Sequence, residues 1–397
     1  MQSANTKLVN VLTSNKTKIG IFTGTRAEYG LMRTLIRKLV DHPDYDTKLI
    51  VSGSHLSKRY GKTIAEIKSD GIKTIEKVKT SLDHTPMPGM ALITGEVLVG
   101  VSTFLERFEP ELLFILGDRY ECFAAATAAH LLGIPIVHLH GGEKTSGAID
   151  DRLRNAISQL STWHFTAAEL YRENIILMGH PAKNVICVGP MVLDMILDFK
   201  PCSRSIFEAK TGFRFSGKNI LVTYHPETLT KDHGMKGLLT LLEAIDRVEC
   251  NILFTYPNAD QGSIEIKEAI LDYVHTHNEK CYAIPSLGQI QYLNALYLFD
   301  VVAGNSSSGI IEAPLLGVPV INIGTRQGGR LRFGKVHDVE DSVNRIYTLL
   351  KELLALSPRS TSQQYGKEEL LSRYPSAPSD IILGWLDSRK YVNDSQI

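Results

Sequence analysis

Short apolar runs alternate with longer stretches whose apolar residues recur at helical spacing, and this alternation repeats along most of the chain. Lys18–Thr23 (KIGIFT) reads as a strand that stops at Gly24, and Ala27–Val40 then sets Leu31, Leu35 and Leu39 on one helical face. Further strands are expected at Thr47–Val51, Leu112–Leu116 (LLFIL) and Pro135–Leu139 (PIVHL), with a helix over about Glu121–Leu132. The pattern restarts at Asn219–Thr223 (NILVT). A helix is expected over about Met235–Val248, then strands at Ile252–Thr255, Tyr282–Ile284, Val301–Ala303 and Val320–Ile323. Strands that are apolar along their whole length and separated by helices belong to parallel sheets covered on both faces. The fold class is therefore α/β, with two Rossmann-like doubly wound domains and a ligand cleft between the carboxyl ends of their sheets. Met191–Gly217 contains Pro201 and no sheet pattern, and reads as the region that links them.

Length agrees with two domains, since 397 residues exceed what one core usually organises. Lys plus Arg and Asp plus Glu each number 43, and this balance argues against a nucleic-acid scaffold or a polybasic membrane binder. The five cysteines are scattered and form no Cys-x-x-Cys pair, as expected of reduced thiols in a cytosolic protein. The first sixteen residues lack an apolar signal core. The most apolar stretch, Cys122–His140, is interrupted by His130, Gly133 and Pro135, so it reads as helix, turn and strand and not as a membrane span. A cytoplasmic location is expected, with no nucleic-acid or membrane partner.

Candidate chemistry clusters where strands end. Thr23-Gly24-Thr25-Arg26-Ala27-Glu28-Tyr29-Gly30 turns the first strand into the first helix. Backbone N–H groups and the helix dipole favour an anion there, with Arg26 as a charged donor. A tight turn with a surface arginine would have the same pattern. The spacing is not G-x-G-x-x-G, so no nicotinamide cofactor is expected. Asp118, in Gly117-Asp118-Arg119-Tyr120-Glu121, is placed either to face the cleft or to cap a helix. His138-Leu139-His140-Gly141-Gly142-Glu143 ends another buried strand, and its paired glycines let a substrate approach the backbone. Two histidines with no further ligand at metal spacing predict no metal site. Asp150 and Arg154 stand four apart on the next helix, as an ordinary salt bridge or as two groups aimed into the cleft. Pro226 holds His225 extended, where it can donate to a phosphate, transfer protons or simply cap a loop. Gly304-Asn305-Ser306-Ser307-Ser308-Gly309 offers hydroxyls and a helix start to a phosphate, and Glu312 is placed for the hydroxyls of a ribose. A serine-rich helix cap is the plainer reading of the same residues.

Together these segments resemble the UDP-N-acetylglucosamine 2-epimerase family, and within it the hydrolysing branch that feeds sialic-acid-type biosynthesis. The matching residues are TGTRAEYG at 23–30, GDRYE at 117–121, HGGE at 140–143, AIDDRLRNAIS at 148–158, HPET at 225–228, YPNAD at 256–260, GNSSSGIIEAP at 304–314 and INIGTRQGGR at 321–330. The resemblance implies the glycosyltransferase-B arrangement. Residues 17–195 would form a first domain on the sugar side and 196–365 a second on the UDP side. Residues 1–16 would be a flexible extension, and 366–397 would form helices that cross back to the first domain. It also implies a reaction in which a base removes the C2 proton of UDP-N-acetylglucosamine as UDP leaves C1. Water and a proton then add to the resulting 2-acetamidoglucal, giving N-acetylmannosamine and UDP. A 2,4-diacetamido-trideoxy relative of the sugar, on the way to legionaminic acid, fits the same motifs.

By the same resemblance, Asp118, Glu143 and Asp150 are acid/base groups supported by Arg154, and His225 serves both catalysis and the diphosphate. Arg26, Arg119, Ser306 and Ser307 would surround the diphosphate, Asn258, Ser286, Glu312 and Arg326 would hold the rest of UDP, and Asn305 would also bind the UDP-sugar. No cofactor or metal is implied, and the expected partners are a UDP-sugar and further copies of the chain, as a dimer or tetramer. The chain departs from the non-hydrolysing branch at Asp150, where a glutamate is usual, and at HGGE; it departs from the animal enzymes at Gly30, where they carry serine, and lacks their fused kinase domain. Two other classes share parts of the pattern: a retaining glycosyltransferase of the same fold and a non-catalytic UDP-sugar binder. Three cleft carboxylates fit proton traffic better than either.

Overall fold

Among the residues described by the computed structural model, parallel strands form two sheets, one of seven strands and one of six. Those residues are 16–83, 89–145, 149–227, 230–257, 260, 262–332, 334–356, 372 and 375–390. The first sheet holds β1 (Thr17–Thr23), β2 (Tyr45–Val51), β3 (Ile75–Lys77), β4 (Leu112–Leu116), β5 (Ile136–Leu139), β6 (Trp163–Thr166) and β7 (Val185–Cys187), in the order 3-2-1-4-5-6-7. Its helices are α1 (Arg26–Asp41), α2 (Ile64–Ser69), α3 (Met90–Phe108), α4 (Tyr120–Leu131), α5 (Asp150–Leu160) and α6 (Glu169–Leu177). Each strand of the centre is apolar on both faces because helices cover both. Ile19, Ile21 and Phe114 pack towards Tyr29, Met32, Leu35 and Leu39 of α1, whereas Phe22, Leu113 and Ile115 pack towards Val97, Val101 and Leu105 of α3. Each such fully buried side chain contributes about 1.5–3 kcal/mol. Helix α1 starts where Thr25 accepts the amide of Glu28, which satisfies one of its orphan N–H groups.

Two helices link the halves: α7 (Val192–Asp198) and α8 (Arg204–Thr211). Val192, Leu193 and Ile196 of α7 pack against Leu31 on one side and Leu315 on the other, so the link is itself a packed wedge. The second half contains β8 (Asn219–Thr223), α9 (Met235–Ile245), β9 (Asn251–Thr255), α10 (Ser263–Thr276), β10 (Cys281–Ile284), α11 (Gly288–Leu298), β11 (Val301–Gly304), α12 (Ser307–Ile310), α13 (Glu312–Leu315), β12 (Val320–Ile323), β13 (Val336–Val339) and α14 (Val343–Ala355). Its strand order is 10-9-8-11-12-13. In both sheets the winding reverses beside the first strand, between β1 and β4 and between β8 and β11, which is where such folds bind ligands.

The last described helix, α15 (Pro378–Lys390), leaves the second half and packs on the first sheet through Ile382 and Leu386. Trp385 meets Trp163 and Phe165 edge-on, at ring-centroid distances of 5.2 and 5.1 Å, and Arg389 lies over both indoles. Of the segments expected at the ends, residues 1–15 and much of 366–397 lie outside the described residues. Strands β3, β6, β7 and β13, each of three or four residues, have no counterpart in the apolar pattern: β6 (WHFT) and β13 (VHDV) are half polar. Among the described residues no helix is long and apolar enough to cross a membrane.

Candidate active site

The two switch points face each other, and a cavity lies between them. Asp118, Arg119, Glu143, Asp150 and Arg154 line it from the first half, and Ser307, Glu312, Arg326 and Arg330 from the second. Gly117, at φ +91°, turns the chain sharply past the end of β4 and sets Asp118 over the sheet. There Asp118 is ion-paired with Arg154, which is 1% exposed. Arg154 is not spent on its helical neighbour Asp150. Its Nη1 donates to Glu143 O at 2.8 Å and its Nη2 to Thr145 Oγ1 at 2.8 Å, so it ties Asp118 to the loop carrying Glu143.

That loop is pinned by its glycines and by His140. A Cβ on Gly142, at φ +78°, would overlap Tyr171 O, so the turn can pack on α6 only as glycine. His140, itself left-handed at φ +63°, accepts the amide of Met191 at Nε2, at 3.1 Å. Its Nδ1 lies 2.7 Å from Glu143 Oε1. Burial pushes the Glu143 carboxyl up, but the charge and hydrogen bond of His140, with Arg330 beyond, hold it below the usual carboxylate range. Asp150 goes the other way: burial and the nearby Asp260 raise it against the pull of Arg326 and Arg119. Two carboxyls on one cavity are thus shifted in opposite directions, the pattern of a paired base and acid. His138, the first histidine of the His-x-His pair, is fully buried and bonded to Gly117 O and Ser158 Oγ. No group of three or more metal-ligating side chains occurs among the described residues.

Arg119 crosses the cleft. Its Nη1 donates to Asp260 Oδ1 at 2.8 Å and its Nε to Glu121 Oε2 at 3.1 Å; despite burial, these carboxylates hold its pKa well above the ordinary arginine value. In the second half, Gly304 has φ +138°, and a Cβ there would overlap Thr223 O, which brings β8 and β11 together at their ends. The side-chain amide of Asn305 clamps the loop of His225, accepting its N–H at 2.7 Å and donating to its carbonyl at 2.8 Å. His225 is buried, and burial with the charge of Arg326 pulls it down to about 3, so it is a neutral imidazole at pH 7. Ser307 faces the cavity, while Ser306 Oγ bonds Ser308 Oγ at 2.9 Å. Burial raises Glu312 to about 7, and its Oε2 has no hydrogen-bond partner among the described residues, an acceptor suited to a ribose hydroxyl.

Arg26 does not line this cavity; it lines a neighbouring one of about 330 Å³ with Tyr60, Tyr256 and Lys267, while Thr25 and Ala27 beside it in the chain line the first. Ser286 stands apart, accepting the amide of Gly288 at the start of α11. Asn258 lies outside the described residues. The sequence patterns did not single out Asp260, Gln327 and Arg330. Asp260 and Arg330 stood inside quoted motifs, YPNAD and TRQGGR, yet their ion pairs with Arg119 and Asp118 form only where the two halves meet.

A family model described as UDP-N-acetylglucosamine 2-epimerase matches residues 37–373. The chain is 37% identical over 349 residues to the UDP-N,N'-diacetylbacillosamine 2-epimerase (hydrolyzing) of Legionella pneumophila, covering 88% of this chain and 92% of that one. It is 34% identical over 327 residues to the GDP/UDP-N,N'-diacetylbacillosamine 2-epimerase (hydrolyzing) of Campylobacter jejuni, covering 82% and 85%. A crystal structure of UDP-GlcNAc 2-epimerase from Neisseria meningitidis bound to UDP-GlcNAc superposes with a TM-score of 0.73 over 94% of this chain and 100% of that one, at 21% identity.

Proposed function

The chain belongs to the UDP-N-acetylglucosamine 2-epimerase family, and from that premise we propose that it hydrolyses and epimerises a UDP-linked 2-acetamido sugar, with UDP-N,N'-diacetylbacillosamine as the substrate. The observation that carries the chemistry is the pair Glu143 and Asp150, shifted in opposite directions on one cavity lined by Arg119, Arg326 and Arg330. Glu143 takes the proton from C2 while the electrons of that C–H bond form the C1=C2 double bond and UDP leaves C1. Asp118, ion-paired with Arg154, fixes the sugar beside it. Arg119, Arg326 and Arg26 meet the charge gathering on the departing diphosphate, in a buried site where such interactions are stronger than in water. Asp150 then supplies the proton to C2 on the opposite face as water adds to C1, and the ionised Asp150 takes up the proton that the water gives up. The products are UDP and the free 2-epimer. The 2,4-diacetamido sugar is favoured because the two relatives described above both carry its name. UDP-N-acetylglucosamine is the second reading, supported by the family description and the liganded neighbour.

NMR of each UDP-sugar with the protein in D2O tests both levels. Release of UDP and a 2-epimerised sugar bearing deuterium at C2 is expected, faster from the diacetamido substrate. A released sugar with protium at C2 would overturn the elimination, and a faster reaction of UDP-N-acetylglucosamine would overturn the substrate.

A further inference from the structure

The loop that follows β12 does not stay with the second half. Leu331 donates its amide to Tyr171 Oη of α6 at 2.8 Å and packs against Ala167, Ala168 and the Tyr171 ring, all in the first half. This docking carries Arg330 into the cavity, where its side chain is 10% exposed. Its Nη2 lies 3.5 Å from Asp118 Oδ2 and its Nε 3.5 Å from Glu143 Oε2. Its Nη1 donates to Gln327 Oε1 at 3.1 Å, and Gln327 Nε2 donates to Asn305 O at 2.7 Å. Asn305 immediately precedes the serines of the candidate nucleotide cradle. One continuous polar chain therefore runs from that cradle, across the cleft, to two first-half carboxylates.

We propose that Arg330 is a positioning residue, delivered across the cleft by the docked loop, that keeps Glu143 ionised and aligned with Asp118 and so makes proton abstraction depend on the two halves being joined. The proposal rests on the assignment of Glu143 as the base. A guanidinium 3.5 Å from a buried carboxylate favours its charged form. Without loop docking, Glu143 keeps the hydrogen bond of His140 but loses this guanidinium, and Asp118 keeps only Arg154.

The test compares Arg330→Gln, Arg330→Lys and Tyr171→Phe with the parent by kcat, KM, the pH profile of kcat, UDP affinity by calorimetry, and Tm. For Arg330→Gln, kcat is expected to fall by about 10²-fold with KM within about threefold, and the acidic limb to move up by about one pH unit. Arg330→Lys should restore the limb more than it restores kcat, because it returns charge without the planar fork. Tyr171→Phe, which changes only the docking hydroxyl, should move kcat and the limb in the same direction by less. A raised KM with kcat and the limb unmoved would make Arg330 an ordinary diphosphate ligand and overturn the proposal. Should Arg330→Gln fail to fold, Arg330→Lys and Tyr171→Phe decide alone: both keeping the parental limb overturns it. Glu143→Gln separates the two levels, since near-parental turnover there brings down the base assignment, whereas an inactive Glu143→Gln beside a parental Arg330→Gln brings down only this inference.

Discussion

Glu143 and Asp150 carry the same functional group, and their neighbours separate them: a histidine and an arginine around one, burial and a second carboxylate around the other. Replacing Glu143 by Gln, Asp150 by Asn or Asp118 by Asn is expected to lower kcat by about 10²–10⁴. Tm should stay close to the parent for Asp150→Asn, whereas Asp118→Asn leaves the buried Arg154 only the more distant Asp151 as an ionised partner and should cost stability as well. Near-parental kcat in Glu143→Gln would exclude Glu143 as the base, and in Asp150→Asn would exclude Asp150 as the acid. Glu312 gives a prediction with a definite sign. Raised to about 7 by burial, it is about half protonated at neutral pH in the free protein. Ribose hydroxyls donate to the ionised carboxylate, so UDP affinity should rise from pH 6 to 8 and binding should release a proton. Calorimetry across that range checks it, and Glu312→Gln should flatten the dependence. Residue identities at strand ends were legible in the sequence because each sits just past an apolar run. Orientation was not: Asn305 has the composition of a ligand, but its amide is used on both polar groups of the His225 backbone.

Elements show the same division. Runs such as LLFIL and NILVT are buried at every position, so composition alone identified β4 and β8 to the residue. Helix α1 was legible within a residue at each end because its apolar stripe and its cap agree. The three- and four-residue strands at the sheet margins carry too few side chains to display a period, and pairing with a neighbour makes them strands. The turn between β11 and α12 is tightly constrained. Gly304→Ala would drive a Cβ into Thr223 O at a φ that side chains rarely adopt. A loss of about 3 kcal/mol or more is expected, together with weakened UDP binding, because the same turn places Asn305 and Ser307. Urea denaturation and calorimetry on the variant measure both.

At the scale of the molecule, the halves are bound by buried polar contacts as well as by the α7 wedge. Arg119–Asp260 spans the cleft, and Glu66 accepts the amide of Gln289 from the opposite side at 2.9 Å. Burial also sets the response of stability to acid. His55, His138 and His225 are held neutral, at about 3, 4 and 3, so their contribution is complete above about pH 6.5 and is lost as pH falls towards those values. Glu28, Glu312 and Asp194 are raised by burial to about 7, 7 and 6, so they oppose folding increasingly as pH rises from about 4.5 through those values. Between about pH 5 and 6 the two sets offset each other, and below about 4.5 the histidines are joined by carboxylates held low, such as Glu143 and Asp260, whose protonation also costs stability. Unfolding free energy should therefore be nearly flat across the first interval and fall steeply below the second. A steady gain in stability from pH 6 to 4 would contradict the burial of these imidazoles. The docking of α15 has a spectroscopic consequence. The chain has only two tryptophans, Trp163 and Trp385, and they touch each other under Arg389. All indole emission thus originates from one square of surface on the first sheet. Red-edge fluorescence will report detachment of the terminal helix with a shift in wavelength, and will be blind to melting of the second sheet, which only circular dichroism or calorimetry will see.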